Sequence, residues 1–317
     1  MDWSSRLIID ADAASEFFLE KIERICRELL NSPLFAERYR KQMEELCEFG
    51  SFNDMSRFML FREFSKHLRQ KILQQFDPFE ACRLDVHVLF GTRERGKAVL
   101  HIRALERLKG DLYRSPIHKL FANHSKQYPL AYTRHAIDRL FERFAILTED
   151  PLDCARAFDV LYWMRNIHIT QSYNGQLMAA IWCPVEPFSK TADFYRDLFE
   201  VQTPLSYGTK EKPYPHFAFA GRELLFRAGY FWLEPRTWNG EEVLTATTFV
   251  LPGMDNTPEY TYFLAMEKPD TITLEKFRTW IAKQTVAQLE KSADFSFLKR
   301  FHDCVLQVSL EMDDLPG

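Results

Sequence analysis

The spacing of apolar residues over the first 80 positions predicts helices. Between residues 13 and 30, apolar side chains recur at intervals of three and four with charged residues between them, which is typical of an amphipathic helix. Two more helices are predicted over residues 33–50 and 55–76, and the second carries a row of phenylalanines. We therefore expect an N-terminal helical segment.

The pattern changes along the middle of the chain. Residues 84–90 alternate weakly between apolar and polar positions and favour a strand, whereas residues 99–109 are predicted to be helical. Short runs rich in β-branched and aromatic residues, bounded by Gly, Pro and Asn, then predict an antiparallel sheet. These runs cover residues 167–170, 177–182, 223–233, 242–251 and 259–266. Asn174-Gly175 and Asn239-Gly240 are typical of hairpin turns.

These elements predict an α+β protein with an N-terminal helical segment, a central helix plus antiparallel β-sheet, and C-terminal helices. Residues 1–120 form the mostly helical N-terminal region and residues 121–270 the central α+β domain. Residues 271–317 contain two further amphipathic stretches, which we expect to pack as a closing helical layer.

Composition narrows the range of functions. The chain has 317 residues, 46% of them hydrophobic, and a formal net charge of -4, so any contact with phosphate has to come from a local cationic patch. The six cysteines are dispersed without a Cys-x-x-Cys pair, which favours reduced, mostly buried thiols. No residue pattern calls for a metal or a cofactor. The absence of a targeting segment or a long apolar run predicts a cytoplasmic protein without a membrane partner.

The candidate chemistry lies in residues 133–143. His135, Arg139 and Arg143 recur every four residues, while Ile137 and Leu140 supply apolar positions between them. A helix would therefore set one imidazole and two guanidinium groups in a row beside a stripe that faces the core. Such a row can bind an anion.

A second stretch, residues 243–249, reads as a strand. Its alternation predicts Thr245 and Thr247 on one face. Thr133 stands where the N-cap of the preceding helix is expected. If this strand and that helix meet, a titratable ring, two fixed cations and a hydroxyl group converge on one site.

The series His135-Ala136-x-x-Arg139-x-x-x-Arg143, preceded by a threonine and followed at a distance by a threonine-bearing strand, resembles the barnase, EndoU, colicin and RelE-like ribonuclease superclass. The resemblance covers residues 130–147 and 225–250. In small members of the superclass the strands follow the helix closely, whereas here a long segment separates them.

This resemblance implies a metal-independent ribonuclease of the toxin or defence type, with RNA as its partner and no cofactor. The ribose 2′-hydroxyl would attack the neighbouring phosphate, with His135 as acid or base. Arg139 and Arg143 would bind the phosphate, and Thr245 or Thr247 would hydrogen-bond a phosphoryl oxygen or the ribose.

Several alternatives stay open at this point. A second acid or base is not selected by spacing, and the candidates are His118, His124, His168, His216 and Tyr230. Arg139 and Arg143 also fit a solvated helix face that pairs with Asp138 and Glu142. The second functional hypothesis is a non-catalytic interaction scaffold, whose Phe-rich helical N-terminus binds a protein partner or an inhibitor.

Overall fold

The computed structural model describes residues 6–33, 35, 37, 54–90, 97–122, 126–148, 167–171, 175–184, 190–199, 217–220, 223–257, 259–260 and 299. The chain divides into two compact units, Met1–Pro116 and Ile117–Gly317. Each unit is described by itself below.

The first unit contains a three-stranded sheet covered by helices on one face. The strand order is β1-β3-β2, with β1 parallel to β3 and β2 antiparallel to it. In chain order the elements are β1 (Leu7–Ala11), α1 (Glu16–Leu30), α2 (Asp54–Gln75), α3 (Pro78–Arg83), β2 (Leu84–Phe90) and β3 (Ala98–Ala104).

Local sequence explains where these elements start and how they pack. The Asp77 side chain accepts hydrogen bonds from the backbone N–H groups of Phe79 and Glu80 at 3.0 and 3.1 Å, which caps α3, and Pro78 suits its first turn. Every second residue of β3 is buried, as expected for a strand with one face toward a core. That core joins α1, α2 and the sheet.

Six strands are linked into a closed ring among the described residues; five of them lie wholly in the second unit, and β5 crosses the boundary at Pro116. The hydrogen-bonded order is β11-β6-β5-β7-β8-β10, and β10 pairs back onto β11; β9 extends β10, and the short β4 pairs with β5. The strands are β4 (Glu106–Arg107), β5 (Leu112–Ala122), β6 (Lys126–Thr133), β7 (Ile167–Gln171), β8 (Leu177–Pro184), β9 (Phe217–Ala220), β10 (Glu223–Trp238) and β11 (Glu241–Val250). Two helices accompany them, α4 (Arg134–Thr148) and α5 (Lys190–Phe199).

Aromatic side chains fill the concave side of this ring. The rings of Tyr132 and Phe231 lie 5.1 Å apart although β11 separates their strands, and Phe231 lies 5.6 Å from Phe249. Side chains two strands apart can meet in this way only on the inside of a curved sheet. Gly229 makes room for this cluster, because a Cβ there would lie 2.2 Å from the Phe249 ring.

The predicted α+β class is confirmed, and so is the strand at residues 84–90. The hairpin at Asn239-Gly240 is also present, with both residues at positive φ, and it joins β10 to β11. Cys26 and Cys82 are buried free thiols, as expected, and burial raises the pKa of Cys26 to about 12.

Two expectations about individual elements were wrong, and one strand was missed. Residues 99–109 do not form a helix, since β3 covers residues 99–104 of that range and pairs with β1 on one edge and with β2 on the other. β1 was not predicted, because five residues carry too little periodic signal. Glu259 and Tyr260 are helical rather than extended.

The sheet of the second unit is mixed rather than antiparallel, because β6 pairs in parallel with β11 and β5 with β7. The expected C-terminal helical layer, residues 271–317, lies outside the described residues apart from Lys299.

Substitution of Gly229 tests the packing of the ring. Gly229→Ala places a methyl group against the Phe249 ring and 2.6 Å from the Val250 carbonyl oxygen, so unfolding in urea should show a loss of about 2–3 kcal/mol. Gly240→Ala is the matched control, because Gly240 has φ +80° but open space around it and should cost only about 1 kcal/mol. Equal losses in the two variants would contradict the packing described here.

Candidate functional site

The first predicted stretch folds as α4, and its first turn is tied to β11. The Thr133 hydroxyl accepts a hydrogen bond from the Ala136 backbone N–H at 3.1 Å, which makes Thr133 the helix cap that the sequence predicted. The same hydroxyl donates to the Thr247 carbonyl oxygen at 3.2 Å. A single side chain therefore starts the helix and fixes it to the threonine-bearing strand.

A second attachment lies two turns further along α4. Arg143 Nη1 donates to the Phe249 carbonyl oxygen and lies 3.8 Å from Met254 Sδ. Thr133 and Arg143 thus contact positions 247 and 249 of the same strand, so α4 runs along β11 in the strand direction. The two stretches that the sequence singled out do meet in space.

The side chains of His135, Arg139 and Arg143 have three different environments. His135 is exposed and makes no hydrogen bond within the described part of the chain. Arg139 Nη1 lies 2.8 Å from Glu142 Oε2, and both side chains are about half exposed. Arg143 is partly buried; its burial lowers the pKa of its guanidinium, the neighbouring Arg139 lowers it further, and Glu142 opposes both. Arg143 nevertheless stays charged at neutral pH.

The solvated-face interpretation of this helix is therefore correct in part. Arg139 pairs with Glu142 one turn away, and Arg134 lies 3.7 Å from Asp138. Such exposed pairs contribute little stability and exchange readily with solvent or ligands. Arg143 behaves differently, because it contacts the strand instead of a helix carboxylate.

A β-bulge separates the two candidate threonines. Trp232 pairs with Thr248 and Leu233 with Ala246, so Thr247 is the extra residue of β11. The bulge interrupts the strict alternation from which we expected Thr245 and Thr247 on one face. Thr247 is half-buried and its hydroxyl donates to the Trp232 carbonyl oxygen at 3.4 Å.

Thr245, in contrast, is fully buried, and its hydroxyl has no hydrogen-bond partner among the described residues. A buried hydroxyl in that position cannot contact a ligand that arrives from solvent while the fold stays closed. The structure therefore brings His135, Arg139, Arg143 and Thr247 to one helix–strand junction and places Thr245 inside.

Of the candidates for a second acid or base, Tyr230 alone has a side chain that the structure describes. Tyr230 is fully buried and donates its hydroxyl to Glu259, and burial raises its pKa well above the ordinary value. His118 and His168 lie in β5 and β7, with side chains outside the described part of the structure. His124 and His216 lie outside the described residues altogether.

Sequence analysis did not identify Glu259 as a notable residue. Both of its carboxylate oxygens accept from the Tyr230 hydroxyl, at 2.7 and 2.8 Å, and Arg227 Nη1 donates to the same hydroxyl at 2.8 Å. The Arg227 guanidinium also lies over the Trp182 ring. Glu259 was predicted to begin a strand, and a single glutamate at that position gives no signal that could have revealed this network.

A second polar cluster crosses the sheet of the first unit. His101 pairs directly with Asp10 on one side and with His87 on the other, and the two imidazoles stack at 5.0 Å. His101 Nδ1 lies 2.9 Å from Asp10 Oδ2. Next to this row, Arg69 and Asp85 form a buried ion pair at 3.1 Å. Asp10, His101 and His87 lie on the sheet face opposite the core, because they alternate along their strands with residues that face it.

No family model, curated protein or solved structure matches this chain. The likeness to the ribonuclease superclass accordingly rests on the residues of α4 and β11. Within the part of the chain that the structure describes, no helix combines the length and apolar character needed to cross a membrane. Over the same residues, no group of three or more His, Cys, Asp or Glu side chains could hold a metal ion.

The two threonines should respond differently to removal of their hydroxyl groups. Thr245→Val removes a buried hydroxyl that makes no hydrogen bond, so unfolding experiments should show unchanged stability or a gain of about 1 kcal/mol. Thr247→Val removes the bond to the Trp232 carbonyl and should cost about 1 kcal/mol. A large loss in Thr245→Val would show that its hydroxyl has a structural partner.

The buried carboxyl of Glu259 should make stability depend on pH. Burial raises its pKa above the ordinary 4.5, while Arg227 and the Tyr230 hydroxyl oppose the shift. The folded state then holds the proton more tightly than the unfolded state, so this contribution to stability is complete below pH 4.5 and is lost as pH rises through the raised pKa. Relative to Glu259→Gln, the wild type should lose stability over that window in urea titrations. A constant difference between the two proteins would contradict the assignment.

Proposed function

We propose that the junction of α4 and β11 is an RNA-cleaving site of the metal-independent ribonuclease type. The observation that carries the proposal is the double attachment of α4 to β11, through the Thr133 hydroxyl to Thr247 and through Arg143 to Phe249. It holds an exposed imidazole and two guanidinium groups beside a hydroxyl-bearing bulge. Groups held in fixed positions around a phosphate are what such catalysis needs.

His135 has the acid or base role in this proposal. Its imidazole is exposed on the first turn of α4, two residues after the cap, and no hydrogen bond within the described structure occupies it. An imidazole can act as an acid or a base, so it can take a proton from the ribose 2′-hydroxyl or give one to the leaving 5′-oxygen.

The two arginines bind the phosphate that is attacked. Arg139 becomes available when its exposed pair with Glu142 opens, at a small cost. Arg143 makes its contacts to Phe249 and Met254 through Nη1, which leaves its other guanidinium nitrogens for phosphoryl oxygens. Because it is anchored, little conformational freedom is lost when it binds.

Thr247 is the hydroxyl of the pair that suits a contact with the phosphate or ribose, since Thr245 lies in the interior. The bulge at Thr247 turns its backbone out of the regular ladder, which is a common way to present a side chain at the rim of a barrel. The second proton carrier of this reaction comes from a group other than Tyr230, because that hydroxyl is enclosed.

The scaffold hypothesis receives less support from the same structure. Of the phenylalanines with described side chains in the first 80 residues, Phe18, Phe35, Phe64 and Phe76 are buried in the core of the first unit. Phe17 has 83% of its surface exposed, and Phe79 is half-buried. Phenylalanines that form their own core are not available to a partner.

Cleavage of a fluorescently labelled mixed-sequence RNA in the presence of chelator tests the proposal. We expect cleavage by the wild type, and a loss of about 10²-fold or more in His135→Gln and Arg139→Gln, because each removes a group that acts on the transition state. Melting temperatures should change little, since both side chains are at the surface.

Arg196→Gln is the matched control for Arg139→Gln. Arg196 lies on α5 and pairs with Asp193 at 3.0 Å across one helical turn, as Arg139 does with Glu142. It should cleave RNA at the wild-type rate. No cleavage by the pure wild-type protein, or equal cleavage by His135→Gln, would rule the proposal out.

A further inference from the structure

The residues that follow β11 connect the candidate site to the buried Glu259. Backbone hydrogen bonds from Met254 N–H to the Leu251 oxygen, from Thr257 N–H to the Met254 oxygen and from Tyr260 N–H to the Thr257 oxygen fold it into successive tight turns. The Gly253 N–H also donates to the Thr257 hydroxyl at 3.0 Å. We call residues 251–257 and 259–260 the turn segment.

One end of the turn segment is fixed by a buried charged group. Glu259 has no exposed surface, and both of its oxygens accept from the hydroxyl of Tyr230 on β10. Arg227 lies on the same strand, at the start of a register shift in the pairing of β10 with β8. It donates to that hydroxyl and lies 4.0 Å from Glu259 Oε1. A buried carboxylate with these partners is costly to pull away from them.

The other end of the turn segment contacts the candidate site. Met254 packs against the cluster that contains Tyr230 and Val250, and its sulfur lies 3.8 Å from Arg143 Nη1. That sulfur is also 3.3 Å from the Leu251 backbone N–H. The side chain of Met254 is thus held between the Tyr230 cluster and the guanidinium that contacts Phe249.

We infer that Tyr230 and Glu259 are positioning residues. They latch the turn segment onto β10, so that Met254 and the Phe249 carbonyl hold the Arg143 guanidinium in place. The contacts run from Glu259 to Tyr230, from the cluster that contains Tyr230 to Met254, and from Met254 to Arg143. Neither latch residue needs to touch RNA. The effect on cleavage rests on the proposed function, whereas the effect on the turn segment does not.

Amide hydrogen exchange of the full chain tests the latch directly. Tyr230→Phe removes the hydroxyl that both Glu259 oxygens accept from, so the amides of Met254, Thr257 and Tyr260 should exchange about tenfold to a hundredfold faster. The amides of α1 in the first unit should be unaffected. Glu259→Gln keeps one carbonyl acceptor for Tyr230, so its effect should be in the same direction and smaller.

Thr245→Val is the matched control, since it also deletes a buried hydroxyl of this sheet, but one without a hydrogen-bond partner. It should leave exchange in the turn segment at the wild-type rate. Unchanged exchange at the three turn amides in Tyr230→Phe would overturn the latch. If Tyr230→Phe does not fold, the same criterion applies to Glu259→Gln.

A double-mutant cycle on RNA cleavage tests whether the latch acts through Arg143. Tyr230→Phe should lower kcat by about tenfold or more in the wild-type background and should lower it no further in the Arg143→Gln background. Additive losses would overturn the positioning role while leaving the nuclease assignment intact. If the wild type cleaves no RNA, the proposed function fails, and hydrogen exchange still decides whether the latch exists.

Discussion

The fixation of α4 along β11 is the constraint on which the candidate site depends. A helix laid against a sheet by apolar contacts alone can slide or rotate, whereas here the Thr133 hydroxyl and the Arg143 guanidinium bond to backbone carbonyls at positions 247 and 249. The described pairing of β11 with β6 ends at Ala246, so the carbonyl groups of Thr247 and Phe249 can accept hydrogen bonds from side chains. The Thr133 cap, the bulge at Thr247 and α4 are therefore connected to one another, and this connection sets the positions of His135 and Arg139.

The outer face of β10 holds buried polar groups, which need hydrogen-bond partners. Glu259, Tyr230 and Arg227 satisfy one another, and the aromatic face of Trp182 receives the remaining charge of the guanidinium. Thr245 lies in the same sheet without such a partner. Thr247, at the bulge, is half-buried, whereas Thr245 has no exposed surface.

The first unit also places polar side chains in contact with one another, on one face of its sheet. Its three strands bury one face under α1 and α2, and the other face carries a row of polar side chains from Asp10 through His101 to His87. Arg69 and Asp85 add a buried ion pair. Cross-strand contacts such as Asp10 with His101 favour one strand register over its alternatives.

The sequence by itself determined the local features of this protein. The four-residue recurrence of His135, Arg139 and Arg143 was sufficient to predict α4, and Thr133 was sufficient to predict its cap, because both depend on neighbours within one helical turn. The α+β class and the Asn239-Gly240 hairpin are likewise local in origin.

Tertiary structure alone decided the rest. Parallel pairing of β6 with β11, the bulge at Thr247, the burial of Thr245 and the bond from Tyr230 to Glu259 all join residues that are far apart in the chain or depend on strand register. β3 was predicted as a helix for the same reason, since its strand character comes from two partners that local propensity does not see. Helical periodicity and capping depend on a few neighbouring residues, whereas strand register, closure of the sheet and burial depend on the whole fold.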